Sequence, residues 1–170
     1  MNTNLQERES AGAPAEPVRV GARAGRKWAE ALLAGENRVL KMVAQDSSLP
    51  EILGAMCRVI EELSDGSLCG ILMVDPTGNR LVHGAAPSLP QNYNQAIHGR
   101  AVNPNAGPCG LAAWLKEQVI VTDVASDRRW EASEWRALAL SHGLRACWST
   151  PILCSNGSVL GTFAIFWRAG

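Results

Sequence analysis

The 170-residue sequence lacks an excess of charge of either sign, because 16 Lys and Arg residues balance 16 Asp and Glu residues. Nucleic-acid backbones and anionic membrane surfaces attract proteins through an excess of basic side chains. We therefore expect neither a nucleic acid nor a membrane among the partners of this chain. The length suits one domain with a substantial apolar core.

Long apolar segments are also missing. The longest, residues 69–74 and 159–167, fall far short of the roughly 20 residues that a membrane-spanning helix needs. The polar first ten residues do not resemble a secretory signal. Five cysteines occur at irregular spacing without a Cys-x-x-Cys pair, which favours reduced, buried thiols over a disulfide framework. These features together predict a cytoplasmic protein.

The sequence signatures of common catalytic sites are absent as well. There is no phosphate-binding Gly-x-x-x-x-Gly-Lys loop, no Gly-x-Gly-x-x-Gly after a strand and no Gly-x-Ser-x-Gly turn, and the three histidines are scattered. Four carboxylates lie close together in sequence near a predicted helix start, where surface charge is the simpler interpretation than an acid–base pair: Asp123, Asp127, Glu131 and Glu134. Local motifs therefore predict no enzyme.

The first half of the chain contains a leader and two helical patterns. Residues 1–25 are rich in Ala, Gly, Pro, Glu and Arg, which predicts a disordered leader before a domain over residues 26–170. Apolar residues at spacings of four and three predict a helix over residues 26–45, with Gly35 interrupting the apolar stripe. Ser48 and Glu51 have the spacing of a capping box and start a second helix.

The remaining pattern alternates strands with short helices. Strands are predicted over residues 69–74, 80–85, 118–124, 145–153 and 158–168, and short helices over 88–97, 111–116 and 131–141. The Gly- and Pro-rich residues 99–110 predict a loop. Hairpin turns, rather than helical crossovers, join the first two and the last two strands. We therefore predict a mainly antiparallel sheet with helices on its faces, an α+β fold of the α/β-sandwich kind.

Six segments in a fixed order carry a family likeness. They are residues 72–78 (LMVDPTG), 81–90 (LVHGAAPSLP), 107–113 (GPCGLAA), 119–127 (VIVTDVASD), 142–152 (HGLRACWSTPI) and 159–165 (VLGTFAI). Together they resemble the GAF domains of bacterial sensor histidine kinases and cyclic-di-GMP signalling proteins, over about residues 30–168. The resemblance implies an antiparallel sheet of five or six strands. Its terminal helices would lie on one face, and loops and short helices would enclose a pocket on the other.

The resemblance also implies a function. GAF domains bind small molecules and pass the signal to an attached output domain, so we expect a sensing, signal-transducing module without catalysis. The output kinase or cyclase would follow Gly170 or act as a separate protein, and we interpret the chain as part of a longer one. Many GAF domains pair through their terminal helices, which implies a homodimer through the N-terminal helices. Neither the ligand nor a cofactor follows from the motifs.

Five residues are candidates for ligand binding, because their segments border the pocket of that fold: Cys109, Trp130, Arg145, Trp148 and Ser149. A helix start at Cys109 would favour its thiolate. Trp130 and Trp148 offer aromatic surface, and Arg145 offers a cation to an anionic ligand. Simpler roles stay open, namely core packing for the tryptophans and an ion pair with a nearby Asp for Arg145.

Two alternative functions stay open. Some GAF proteins reduce free methionine sulfoxide with a set of cysteines, and Cys109 in its Gly-Pro-Cys-Gly motif resembles one of them. Cys147 falls on a predicted strand and Cys154 at the end of that strand, which are not the positions that this chemistry needs. A reductase or a Cys-based redox sensor is therefore only the first alternative. The second alternative is a dimerisation module without a ligand.

Overall fold

The computed structural model describes residues 22–168. The helices are α1 (Ala22–Ala44), α2 (Leu49–Leu63), α3 (Gln91–Ile97), α4 (Pro108–Leu115) and α5 (Glu134–Ser141). The strands are β1 (Ser67–Val74), β2 (Arg80–Ala85), β3 (Arg100–Ala101), β4 (Val119–Val121), β5 (Leu144–Leu153) and β6 (Val159–Arg168). A single turn of 3₁₀ helix, Arg128–Trp130, precedes α5.

The strands form one six-stranded sheet in the order β3-β2-β1-β6-β5-β4, and every neighbouring pair is antiparallel. Two hairpins, β1–β2 and β5–β6, meet along the central β1–β6 pair. The predicted α+β architecture with an antiparallel sheet of five or six strands is therefore confirmed.

Alternation along the strands gives the sheet two apolar faces. The α2 face carries Cys69 and Ile71, which pack with Leu53 and Cys57 of α2 and with Ala85. The cavity face carries a larger cluster under α3, α4 and α5, built from strand residues including Leu72, Leu81, Val121, Cys147, Ala164 and Phe166. The sheet is thus the middle layer of a three-layer sandwich.

The predicted capping box is present at the start of α2. The Glu51 carboxylate accepts hydrogen bonds from the Ser48 backbone N–H (2.9 Å) and from the Ser48 hydroxyl (2.6 Å). At the other end of the helix, Glu61 joins α2 to β1 and to the connection between β2 and α3. Its carboxylate accepts from the Cys69 N–H and from the Ser88 hydroxyl, each at 2.7 Å.

α1 packs against α2 at a glycine. A Cβ atom on Gly35 would lie 2.3 Å from a Val59 methyl carbon, a distance that real side chains do not adopt. The gap in the apolar stripe of α1 is therefore a point of close contact between the two helices.

We expect Gly35→Leu to lower the free energy of unfolding by about 1–3 kcal/mol, because the added side chain overpacks the stiff Val59. Gly54→Ala is the matched control. Nothing lies within 4 Å of a Cβ at Gly54, so its higher helix propensity should stabilise α2 by about 0.5–1 kcal/mol. Urea denaturation checks both values, and a Gly35→Leu protein as stable as the parent would contradict the close contact.

Three local predictions differ from the structure. The predicted loop at residues 99–110 contains β3 and the start of α4, because Gly107 at a φ of +92° turns the chain directly into Pro108. The last short helix begins at Glu134, where the Ser133 hydroxyl accepts from the Trp135 N–H. The predicted leader lies outside the described residues, except that residues 22–25 belong to α1. None of the described helices is long and apolar enough to cross a membrane.

Candidate functional site

An aromatic network fills the space between the cavity face and its covering helices. Tyr93 of α3 is buried and contacts Phe166 of β6 edge to face, with ring centroids 5.9 Å apart. Its hydroxyl accepts a hydrogen bond from the Trp135 indole N–H of α5 at 3.2 Å. Trp135 in turn stacks edge to face on Trp130, at 5.4 Å. Residues of α3, the 3₁₀ turn and α5 are thereby joined in one buried group.

Two small cavities remain beside this network. Their volumes are about 20 and 10 Å³, and Leu72, Ile97 and Cys109 border both of them. Each volume is close to the space that one water molecule occupies. Trp135 fills much of the remaining space, and it can do so because a Cβ on Gly107 would lie only 2.7 Å from its ring. The interior is therefore closed by the protein's own side chains.

Three buried polar atoms in this region are unpaired. The Ser149 and Thr162 hydroxyls and the Trp130 indole nitrogen have no hydrogen-bond partner of good geometry among the described residues. All three side chains are fully buried. A buried polar group without a partner costs about 1–3 kcal/mol, so such groups in a folded protein mark a place for a ligand or water.

Cys109 lies at the centre of this arrangement, at the start of α4. Burial raises the pKa of its thiol, and the neighbouring Ser149 and Thr162 hydroxyls offset only part of that effect. Burial also raises the pKa of the Cys147 thiol well above its usual value. Both thiols are therefore protonated at neutral pH, whereas a nucleophilic cysteine needs its thiolate. The expected activation of Cys109 by its helix start is outweighed by burial.

Cys154, in the turn between β5 and β6, is the contrasting thiol. The Asn156 backbone N–H and the Ser155 hydroxyl lower its pKa. We therefore expect a thiol reagent such as iodoacetamide at pH 7.5 to modify Cys154 first, with Cys109 reacting far more slowly. Peptide mass spectrometry resolves the two sites. In a Cys154→Ser protein the fast phase should disappear, and a fast phase surviving there at Cys109 would contradict the protonated state.

The five candidate residues divide between the two faces of the sheet. Cys109, Trp130 and Ser149 lie on the cavity side. Trp148 lies opposite Ile165 and Ile120 on the α2 face, and is 40% exposed. Neighbouring residues on a strand point to opposite faces, so Ser149 and Trp148 cannot both face the cavities.

Arg145 is exposed at the irregular start of β5 and borders neither cavity. The Ser126 hydroxyl, and to a smaller degree Arg145, lower the pKa of Asp123, in keeping with a surface charge pair. A ligand-binding role for the five residues stays a prediction. Tyr93, Trp135 and Thr162 were not among the candidates predicted from the sequence, although the presence of a single tyrosine in the chain was a usable signal.

A metal centre finds no support in this part of the chain. Within residues 22–168 no three His, Cys, Asp or Glu side chains lie close enough together to hold an ion. The polar side chains that border the two cavities are those of Cys109, Tyr93, Trp135, Arg100 and His83, and the Ser149 and Thr162 hydroxyls lie behind the Cys109 thiol. Such a set can bind a small, mostly apolar molecule and orient it by a few hydrogen bonds.

Comparison with known proteins agrees with the fold. A curated relative, the methyl sulfide methyltransferase-associated sensor of Methanosarcina acetivorans, is 42% identical over 143 residues, which cover 84% of this chain and 14% of the relative. The chain thus spans about a seventh of that relative's length.

Two solved structures share the fold at low identity. The GAF domain of an Acinetobacter phosphoenolpyruvate-protein phosphotransferase has a TM-score of 0.60 at 15% identity, covering 81% of this chain and 77% of that one. The free methionine-R-sulfoxide reductase of Neisseria meningitidis, solved with its substrate, has a TM-score of 0.59 at 21% identity, covering 82% and 72%.

The GAF domain family model matches residues 46–170, from the end of α1 through the whole sheet. That range contains every strand of the sheet and all the side chains around the two cavities. With most of the chain matched and the six-stranded antiparallel sheet that the resemblance implied, this chain belongs to the GAF domain family.

Proposed function

We propose that this chain is a small-molecule-sensing, signal-transducing module whose ligand binds between the cavity face and α3, α4 and α5. The observation that carries the proposal is the set of three fully buried polar atoms on Ser149, Thr162 and Trp130: the two hydroxyls have only the Cys109 thiol beside them, and the indole N–H has no partner among the described residues. A ligand that hydrogen-bonds to these atoms would remove the free-energy cost of burying them without full hydrogen bonding.

The ligand must open the site to enter. Cavities of about 20 and 10 Å³ are far smaller than the roughly 300 Å³ or more of ordinary ligand pockets. The side chains that would move are Tyr93 and Trp135, which join α3 to α5 through one hydrogen bond. Binding would therefore shift these helices, and a shift of α3 would reach α2 through the segment before α3, where the Ser88 hydroxyl donates to Glu61.

An enzymatic role is the weaker candidate. The likeness to a methionine sulfoxide reductase and the position of Cys109 beside the cavities favour it. The protonated thiols of Cys109 and Cys147 oppose it. We expect no consumption of free methionine sulfoxide in the presence of dithiothreitol or thioredoxin, measured by amino-acid analysis. Turnover that is lost in a Cys109→Ser protein would instead establish the reductase.

The signalling context is part of the same proposal. The 42% identical relative is a sensor, which supports a sensory role for this domain. The output would be a kinase or a cyclic-di-GMP enzyme, on the same chain or on a separate one, and the site of action would be the cytoplasm. Co-purification of the tagged protein from its own cells, followed by identification of the bound kinase or cyclase, tests this part.

A ligand screen tests the binding proposal. Native mass spectrometry of freshly purified protein, with a thermal-shift panel of free methionine, methionine sulfoxide, cyclic nucleotides and haemin, should give at least one bound species or raised Tm. The effect should weaken in a Ser149→Ala/Thr162→Val protein and persist in Ser158→Ala, a surface control. A complete lack of binding, with the cavities still closed, would favour the alternative of a dimerisation module.

A further inference from the structure

The larger of the two interior cavities is bordered by side chains that donate hydrogen bonds. Its polar side chains are those of Tyr93, Arg100, Cys109 and Trp135. An arginine guanidinium and an indole N–H are donors only. Within residues 22–168, no carboxylate or carboxamide side chain borders this cavity. A polar ligand group that is placed there therefore has to accept hydrogen bonds.

Arg100 of β3 lies on the cavity face of the sheet. It pairs with Leu81 of β2, and directly paired strand residues point to the same face. Leu81 belongs to the apolar cluster on the cavity face. The Arg100 Nε donates to the Ala96 carbonyl at 3.2 Å, which holds the guanidinium against the end of α3. Only 23% of the Arg100 side chain is exposed, so the cation is held at the rim of the cavity.

The charge of Arg100 has a weak partner. The Glu134 carboxylate lies 3.8 Å from its Nη2 atom, beyond hydrogen-bond distance, and the Glu134 side chain is 92% exposed. An exposed ion pair of this kind contributes little to stability. Apart from the contact with Ala96, the guanidinium donates no hydrogen bond among the described residues. Its Nη donors are therefore available to a stronger acceptor.

A second donor, the Tyr93 hydroxyl, lies near Arg100. The hydroxyl oxygen accepts from the Trp135 indole N–H, and its own proton has no acceptor among the described residues. Burial raises the pKa of Tyr93 well above its usual value, and the charge of Arg100 is near enough to oppose a small part of that effect. The hydroxyl therefore keeps its proton at neutral pH, and it can donate that proton to the same acceptor as Arg100.

Two adjacent residues at the start of α5 make the contacts in this region in the closed form. Glu134 places a carboxylate near Arg100, and Trp135 places an aromatic ring beside Tyr93. The two side chains together present one acidic group and one planar apolar group. A small molecule that carries the same two groups would replace both contacts at once.

We propose that the ligand is a small aromatic carboxylate, whose ring takes the place of the Trp135 indole and whose carboxylate binds Arg100 in place of Glu134. The inference rests on the proposed function, because it names the class of molecule that binds at the same site. A guanidinium matches both oxygens of a carboxylate and forms charge-assisted hydrogen bonds with them. An amine of the same shape binds poorly, because the cavity offers it a cation and no side chain that only accepts.

Trp135→Ala opens the space for probes of this class. Removal of the indole leaves a cavity of the same shape beside Arg100, which a small molecule can enter. Isothermal titration calorimetry of this variant should show that indole-3-acetate binds about tenfold more tightly than indole-3-acetamide, a neutral molecule of nearly the same shape. Tryptamine, the matching cation, should bind more weakly than the amide. Circular dichroism establishes that the variant is folded.

Arg100→Gln in the Trp135→Ala background tests the role of the cation. It should remove the preference for the acid over the amide and leave the binding of the amide nearly unchanged. A merely structural role of Arg100 would instead weaken the binding of both probes equally. Arg58→Gln is the matched control, since Arg58 is exposed on α2, on the other side of the sheet. It should preserve the preference for the acid.

The parent protein provides a second measurement that needs no core substitution. Indole-3-acetate at millimolar concentration should raise its Tm more than indole-3-acetamide does, and Arg100→Gln should abolish the difference. Equal binding of acid and amide, or a preference for the acid that survives in Arg100→Gln, overturns the aromatic-carboxylate class and leaves the proposed site intact. A lack of response to all three probes in both Trp135→Ala and the parent contradicts the site itself, and with it the proposed function.

Discussion

Trp130→Ala is expected to lower the free energy of unfolding by about 3–5 kcal/mol. Trp130 is fully buried and holds the short 3₁₀ turn against α5 through its edge-to-face contact with Trp135. The Arg129 guanidinium also lies over its ring, 5.8 Å from the centroid. Alanine removes the whole indole and leaves a cavity that the neighbouring helices can fill only in part. Urea denaturation followed by circular dichroism measures the loss.

The same variant offers a second measurement. Because the new cavity has the shape of an indole, added indole should bind to Trp130→Ala and recover part of the lost stability, in proportion to the logarithm of its concentration. The parent protein, which has no such cavity, should not respond. A loss below about 1 kcal/mol, or an equal response of both proteins, would show that the side chain is less enclosed than the structure indicates.

Trp130→Phe separates packing from the unpaired indole nitrogen. Phenylalanine retains an aromatic ring but removes the buried N–H that has no partner. We therefore expect a much smaller loss than for alanine, about 1 kcal/mol. If a ligand identified in the screen hydrogen-bonds to this N–H, its affinity should fall in Trp130→Phe while the stability of the unliganded protein changes little.

Stability should fall steeply above pH 9 under reducing conditions. Burial raises the pKa of Cys57 and that of Cys69 to about 12. The unfolded chain releases these protons near the ordinary thiol pKa, while the folded protein retains them, so each pH step above about 9 favours unfolding. The two thiols together account for a loss of about 2 kcal/mol between pH 9 and 10. Cys109 and Cys147 act in the same direction.

Denaturant titrations at pH 7.5, 9 and 10 measure this dependence. The stability contribution is fully present below the unfolded pKa and is lost as the pH rises towards the folded value. A Cys57→Ala/Cys69→Ala protein is the control, since it should be less stable at pH 7.5 but decline less between pH 9 and 10. Parallel declines in the parent and the control would contradict the role of these two thiols.

The sheet could be predicted from sequence because its signals are local. The apolar run at residues 69–74 and the turn residues Ser155, Asn156 and Gly157 determine strands and hairpins without reference to distant parts of the chain. The helix α2 was equally clear from its capping box. Each of these features depends on residues that lie within a few positions of each other in sequence. The family resemblance then supplied the order of the layers.

The candidate site could be predicted only in part, because it depends on contacts between distant segments. Cys109 and Ser149 were recognised, but the pairing of Tyr93 with Trp135 joins residues 42 positions apart. Trp148 and Ser149 were both candidates although their side chains lie on opposite faces of the sheet. Which of the two faces the cavities is decided by the pairing of β5 with its neighbouring strands, and that pairing is known only from the structure. The closed cavity reflects the fit of Trp135 against Gly107, which no local pattern encodes.

The contact between Trp135 and Tyr93 has a quantitative consequence for a sensor. The Trp135 indole occupies the space that a ligand would take, so it competes with the ligand. The ligand concentration needed for binding therefore depends on the equilibrium between the closed form, with the indole inside, and an open form. Each tenfold excess of the closed form over the open form raises the apparent Kd tenfold. The detection threshold of such a sensor would therefore depend on the single hydrogen bond that joins Tyr93 of α3 to Trp135 of α5.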